Sequence, residues 1–166
     1  MQRANTILNP AILIFILFGL LTSCENNYVP KPKGYYRISF PEKKHKEYSS
    51  DCPYSFEYPE YAQITPDSSR RTEKCWINLD FPHFNGRVHI SYKAIANNFN
   101  SLAEDSRNLA YKHTVKAEAI NERRIEGKNK VYGVYYDIEG NTASSIQFVL
   151  TDSTKHFLRG ALYFYS

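Results

Sequence analysis

Three side chains in one predicted helix are of the types that a hydrolytic site uses. Asp105, Ser106 and His113 would supply a carboxylate, a nucleophilic hydroxyl and a general base. Seven helical residues separate Ser106 from His113 by about 10.5 Å along the axis, which exceeds the ~3 Å hydrogen bond that activates a nucleophile. We therefore expect His113 to be a core histidine paired with a neighbouring strand. A hydrolytic or ligand-binding site assembled around His113 by tertiary structure remains the alternative.

The other histidines do not have the spacing of a metal site. His45, His83, His89 and His156 form no HxH or HExxH pattern, and no zinc-type cysteine spacing is present. The sequence also lacks a GxSxG elbow and a glycine-rich phosphate loop. It therefore predicts no catalytic residue, no metal ligand and no cofactor.

The N-terminus has the pattern of a lipid attachment site. Arg3 gives a short positive region, residues 11–21 are apolar, and Leu21-Thr22-Ser23-Cys24 follows as a lipobox. An apolar run of about eleven residues suits a signal peptide and is shorter than the ~18 residues that span a bilayer. We expect residues 1–23 to be removed and Cys24 to carry acyl chains such as palmitate. The alternatives are an uncleaved anchor and an ordinary buried cysteine.

Two further cysteines remain for an oxidising envelope compartment. A disulfide between Cys52 and Cys75 would close a loop of about 24 residues, worth ~3.5 kcal/mol in the chain-entropy model. The alternative is two separate thiols on strand ends that never meet.

The mature chain has only a mild positive charge. Removal of residues 1–23 takes away only Arg3 of the 21 basic residues, which leaves 20 against 17 acidic ones and a net charge of +3. A dedicated nucleic-acid binder would cluster Lys and Arg more heavily. We therefore expect no nucleic-acid partner.

The elements that would position these residues form one domain behind a tether. Residues 24–34 contain Pro30 and Pro32 and predict an acylated, extended tether, and residues 35–166 form the domain. Apolar residues recur at helical spacing over 98–116, with Asn97 or Asn98 as the cap. Strand patterns occupy residues 35–40, 54–58, 62–65, 75–81, 87–93, 119–126, 131–139, 144–151 and 155–165.

The order of these elements predicts the α+β class. Closely spaced strands pair as an antiparallel sheet, and one main helix packs on a face. The last strand pattern runs to Ser166 with no polar tail and no helix for the second face. Either this strand is central and ends at the rim, or the chain is a fragment; we expect a fragment that lacks a C-terminal helix.

Four segments together resemble the gliding motility lipoprotein GldD family of Bacteroidota. Cys24 matches the acylated position of that family, and Cys52 and Cys75 match its cysteine and cysteine-tryptophan segments. The resemblance supplies no catalytic residue. The segments are Lys33-Gly34-Tyr35-Tyr36-Arg37, residues 51–59, residues 104–106 with 109–114, and residues 157–164.

The resemblance implies a non-enzymatic envelope lipoprotein that is required for gliding and is linked to the type IX secretion system. Its expected partners are the membrane, through the lipid anchor, and other envelope proteins of gliding and secretion. We expect the domain to lie in the periplasm, and we expect no small-molecule substrate. Such proteins typically continue past the position of Ser166 with a further helical segment.

Overall fold

The computed structural model describes residues 37–165 and contains, within that range, one α-helix and nine strands. The helix, α1, spans Phe99–Tyr111 and is followed by a 3-10 turn over Lys112–Val115. The strands are β1 His45–Tyr48, β2 Phe56–Pro59, β3 Gln63–Pro66, β4 Ile77–Phe81, β5 Gly86–Ala94, β6 Ala117–Glu126, β7 Tyr132–Gly140, β8 Ser144–Thr151 and β9 His156–Phe164.

Seven of the strands form one antiparallel sheet in the order β3-β4-β5-β9-β8-β7-β6, and β1 pairs with β2 separately. Strands β6 to β9 are consecutive neighbours because short turns join them, as a meander requires. The pairing of β5 with β9 runs from Gly86 opposite Phe164 to Ala94 opposite His156 and joins the two halves of the sheet. The predicted α+β class is confirmed.

Helix α1 packs on one face of this sheet. Ala110 is fully buried against Tyr136 and Ile138 of β7, and the ring of Phe99 contacts Phe157 of β9 at 6.4 Å between centroids. These contacts follow from the apolar stripe that the sequence shows at helical spacing. Asn98 occupies the N-cap position, as predicted, but its side chain makes no capping hydrogen bond, because Oδ1 accepts from Ala96 N instead of from a helix amide.

The opposite face of the sheet is apolar and is partly covered by the segment that carries β1 and β2. Tyr54 packs against Tyr92 of β5 at 6.0 Å between ring centroids, and Tyr48 packs against Phe56 at 5.1 Å. Ile90, on the same side of β5 as Tyr92, is 5% exposed. Aromatic side chains thus provide much of the contact on the side away from α1.

The predicted strand over 35–40 is wrong for its described part, since residues 37–44 have no regular structure. Alternating residues there have no neighbouring strand, and Pro41 cannot donate a ladder hydrogen bond. The strand lies instead at β1, which begins inside the charged run over residues 43–46. Residues 45–48 form a strand because they pair with β2. In this pairing Lys46 lies opposite Tyr58, and its Nζ is 4.9 Å from the centroid of the Tyr58 ring.

Candidate functional site

The structure joins Cys52 and Cys75 in a disulfide with the two Cα atoms 5.6 Å apart. The bond links the segment before β2 to Cys75, which lies two residues before the start of β4. Beside it, the hydroxyl of Tyr54 donates a hydrogen bond to the carbonyl oxygen of Cys75. Burial, with Tyr48 as a smaller contributor, raises the pKa of Tyr54. Disulfide and hydrogen bond together fix the aromatic segment over β5.

Cys24, the predicted lipidation site, lies outside the described residues, as do the signal peptide and tether at 1–34. Within residues 37–165, no helix is long and apolar enough to cross a membrane. The same part of the chain has no group of three side chains arranged to hold a metal ion.

An apolar trough lies on the sheet face away from α1. It has a volume of about 620 Å³. At one end the hydroxyl of Tyr92 and Nδ1 of His156 form a hydrogen bond of 2.9 Å. We call it the apolar trough and define it by Leu79, Val88, Phe148, Leu150 and Leu158.

A second cavity lies between α1 and the sheet, and its wall combines polar side chains with apolar ones such as Leu102 and Leu109. Its volume is about 400 Å³. His89, Ser91 and Lys93 alternate with Val88, Ile90 and Tyr92 along β5, and all three lie in this cavity wall. We call it the polar cleft and define it by Asn78, His89, Ser91, Asp105, Ser106 and Arg159.

The polar cleft is organised by one row of side chains that crosses the sheet. Asn78 lies opposite His89, His89 opposite Ala161, and Ala161 opposite Gln147. Residues directly opposite one another in antiparallel strands share a face. Asn78 and Gln147 are 4% and 1% exposed, so the sheet buries two amide side chains on the side covered by α1.

Arg159 is the half-buried cation of the polar cleft. Its Nη2 donates a hydrogen bond to Gln147 Oε1, and Ser91 Oγ lies 3.4 Å from its backbone oxygen. Burial lowers the pKa of the guanidinium, while Tyr163 and Tyr136 act in the opposite direction. Among the described residues no carboxylate forms an ion pair with Arg159.

The candidate hydrolytic residues are not brought together. Asp105 and Ser106 line the polar cleft, whereas His113 lies half-buried in the 3-10 turn after α1 and is not part of that wall. Burial and the nearby charge of Arg159 lower the pKa of His113. Within residues 37–165 its ring makes no hydrogen bond, so the expected pairing of a core histidine with a strand is not found either.

A neutral His89 suits the interior of the polar cleft. Burial and the charge of Arg87 lower its pKa, and the carboxylates of Asp67 and Asp80 partly offset this effect. Its ring lies edge-on to Tyr163 with 5.5 Å between centroids. His89 therefore offers one donor and one acceptor near neutral pH rather than a second positive charge.

The comparison with protein families matches residues 25–166 to the gliding motility lipoprotein GldD model. The chain belongs to the GldD family. The match covers everything after the lipobox, and it makes this GldD family member a lipid-anchored envelope protein with a role in gliding motility. Neither the comparison with curated proteins nor that with solved structures found a match.

The sequence reasoning missed Arg159, Asn78 and Gln147 as site residues of this GldD family member. Each is a polar residue inside a strand whose neighbours along the chain are largely apolar: Asn78 follows Ile77, Gln147 follows Ile146 and Arg159 follows Leu158. A polar residue in an otherwise apolar strand was the sequence signal that could have identified these three residues. It could not show that β4, β8 and β9 turn these side chains to one face under α1.

Proposed function

We propose that this GldD family member is a non-enzymatic lipoprotein that acts with the gliding and type IX secretion machinery from the periplasmic side of a membrane. The observation that carries the proposal is the family match over residues 25–166. Its name supplies the gliding role, and the lipobox at Cys24 supplies the means of attachment.

The short tether supports a role close to the membrane. Residues 25–34 follow Cys24 as the predicted tether, which reaches at most about 35 Å when extended, and residues 37–44 add irregular chain before β1. Acyl chains on Cys24 would therefore hold the domain beside the bilayer, where it would meet envelope proteins of the same membrane.

The geometry of the helix supports the non-enzymatic part of the proposal. A serine nucleophile needs a base within hydrogen-bond reach, and Ser106 and His113 lie in different parts of the structure, one in the cleft wall and one in the following turn. The alternative is a hydrolase or ligand-binding domain near His113. It predicts that the imidazole is needed for gliding.

Two matched variants separate these possibilities in cells. Cys24→Ala should release the protein from the membrane fraction and abolish gliding, because attachment depends on the acyl chains. His113→Gln should leave gliding intact, since it keeps a polar side chain of similar size at a half-buried position. A His113→Gln protein that is as stable as wild type and yet stops gliding would establish the alternative. Normal gliding with Cys24→Ala would overturn the anchor.

Partners are tested by cross-linking in intact cells, followed by affinity capture of the tagged full-length lipoprotein. The expected result is enrichment of gliding and type IX secretion envelope proteins with the wild type and their loss with Cys24→Ala. Enrichment that is equal for both forms, or that contains none of these proteins, would contradict the proposed association.

A further inference from the structure

Within residues 37–165, the guanidinium of Arg159 lies half-buried and forms no ion pair. Three of the seven other arginines of the described chain form ion pairs: Arg87 with Asp80, Arg107 with Glu122 and Arg123 with Asp137. The side-chain hydrogen bond of Arg159 goes to the neutral amide of Gln147. A guanidinium has five N–H donors, so most of its donors have no protein partner in residues 37–165.

Two amides on the same face of the sheet as Arg159 carry buried atoms without a hydrogen-bond partner in the described chain. They are Asn78 Oδ1 and Gln147 Nε2. The guanidinium only donates, so Gln147 must present Oε1 to Arg159, and the orientation that leaves Nε2 unpaired is fixed. A buried polar atom without a partner costs about 1–3 kcal/mol. Asn78 lines the polar cleft itself, so the wall of the cleft holds an amide oxygen that has no donor in the described chain.

The size of the polar cleft suits a small molecule. Its volume of about 400 Å³ lies at the lower end of the range of small-ligand pockets, ~300–1,000 Å³. The hydroxyls of Ser91 and Ser106 add groups that can donate or accept. A planar carboxylate is the anion that pairs with a guanidinium through two parallel hydrogen bonds.

The other charges of the cleft wall restrict the ligand further. Asp67 and Asp105 also line it, and these carboxylates repel a polyanion such as a diphosphate. Lys93 is the second cation of the wall, and its ammonium is paired with Glu73. A ligand with one negative charge, and with an amino group for the acidic side chains, fits this distribution best.

We propose that the polar cleft binds a small molecule with a single carboxylate, held by Arg159, and that an amino group on the same molecule strengthens binding through Asp67 and Asp105. Amino acids and short peptides have this chemistry. The site goes beyond the proposed role of the lipoprotein in gliding and departs from the expectation of no small-molecule substrate. It replaces His113 with Arg159 as the centre of a ligand site.

Calorimetric titration of the full-length protein in detergent tests this site with three probes. They are the dipeptide alanyl-alanine, its C-terminal amide, which lacks the carboxylate, and inorganic phosphate. We expect the dipeptide to bind and the amide to bind roughly tenfold more weakly or not at all, because loss of one charged hydrogen-bonded pair changes affinity by at least that factor. Phosphate should bind more weakly than the dipeptide.

Two variants assign the binding to Arg159. Arg159→Lys keeps the charge but loses the planar fork, and it should weaken dipeptide binding by roughly tenfold. Gln147→Glu places a carboxylate of the protein against the same guanidinium, so it should abolish binding while circular dichroism shows a folded domain. Arg123→Lys, at an exposed arginine, is the matched control and should bind as wild type does.

The results divide cleanly. Absence of dipeptide binding at millimolar concentration, or equal binding of the amide, overturns the proposal. So does undiminished binding by a folded Gln147→Glu protein, and tighter binding of phosphate than of the dipeptide overturns the carboxylate assignment. A gliding defect in Cys24→Ala has no bearing on these titrations, which keeps the two proposals separable.

Discussion

The hydroxyl of Tyr54 donates a hydrogen bond to the carbonyl oxygen of Cys75, with 2.7 Å between the two oxygens. Tyr54 follows the first cysteine of the disulfide by two positions, and the acceptor belongs to the second cysteine. The aromatic segment before β2 is therefore attached to the start of the β4 region twice, once covalently and once by this bond.

Tyr54→Phe should lower the free energy of unfolding by about 1 kcal/mol, since it leaves a partly buried carbonyl without its donor. Tyr58→Phe is the matched control. The ring at position 58 keeps its contact with Lys46 after loss of the hydroxyl. The free energy of unfolding of the Tyr58→Phe protein should therefore differ from that of the wild type by less than about 0.5 kcal/mol. Urea denaturation of both variants measures the difference, and equal effects would show that the bond to Cys75 contributes nothing.

Stability should also fall at alkaline pH because of Tyr54. Burial raises the pKa of its phenol above the ordinary value of 10.0, so the unfolded chain loses this proton before the folded one does. The contribution is complete below pH 10 and declines as pH rises above it. Unfolding measured from pH 8 to 11 should show a smaller decline in Tyr54→Phe than in the wild type, and identical slopes would contradict this assignment.

The disulfide should account for much of the stability of the aromatic segment. Replacement of both cysteines by alanine should lower the free energy of unfolding by about 3.5 kcal/mol, the chain-entropy value for a loop of this length. Cys75 has a left-handed backbone with φ of 68°, which glycine adopts more readily than alanine. Cys52→Ala/Cys75→Gly should therefore be more stable than Cys52→Ala/Cys75→Ala by roughly 0.5–1 kcal/mol. The reverse order would mean that this conformation is not retained without the bond.

Gly160 in β9 lies directly beneath the ring of Phe148 in β8. A Cβ at Gly160 would lie 2.1 Å from Phe148 Cζ, so Gly160→Ala must displace the ring. We expect a loss of about 1–3 kcal/mol in the free energy of unfolding. The same change in a Phe148→Ala background should have a much smaller effect. Strictly additive losses in this double-mutant cycle would refute the contact.

Asp152 should make the β8–β9 turn sensitive to acid. Its Oδ1 accepts hydrogen bonds from the backbone amides of Thr154, Lys155 and His156 at 3.0, 2.8 and 2.8 Å. These bonds hold the pKa of the carboxyl below its ordinary value of 3.8. The stabilisation is therefore complete above pH 3.8 and is lost as pH falls below it.

Asp152→Ala should remove this part of the acid dependence and speed hydrogen exchange at the three amides, which exchange and unfolding measurements at pH 3 and pH 7 would detect. Asp51→Ala, at an exposed carboxylate, is the control and should change neither. Unchanged exchange at residues 154–156 in Asp152→Ala would contradict the role of this turn.

Hydrophobic periodicity predicted helices and strands correctly where an element packs against elements close to it in sequence. Residues 144–151 form a strand with the predicted bounds, and the helix lies inside the predicted range 98–116. Both elements have strong periodicity and short connections, so few competing arrangements exist. Residues 37–40 alternate equally well, yet form no strand because no partner strand adjoins them.

The sequence by itself determined the class of the protein, the lipobox at Cys24, the two cysteines able to pair and the order of the helix and the strands from β2 onward, because these depend on residue types and near neighbours. Only the tertiary structure decided that β5 pairs with β9 and that Asn78, Gln147 and Arg159 lie on one face under α1. Those placements depend on register between strands far apart in the chain. No periodicity encodes that register, and a shift of one residue would turn Arg159 to the apolar trough.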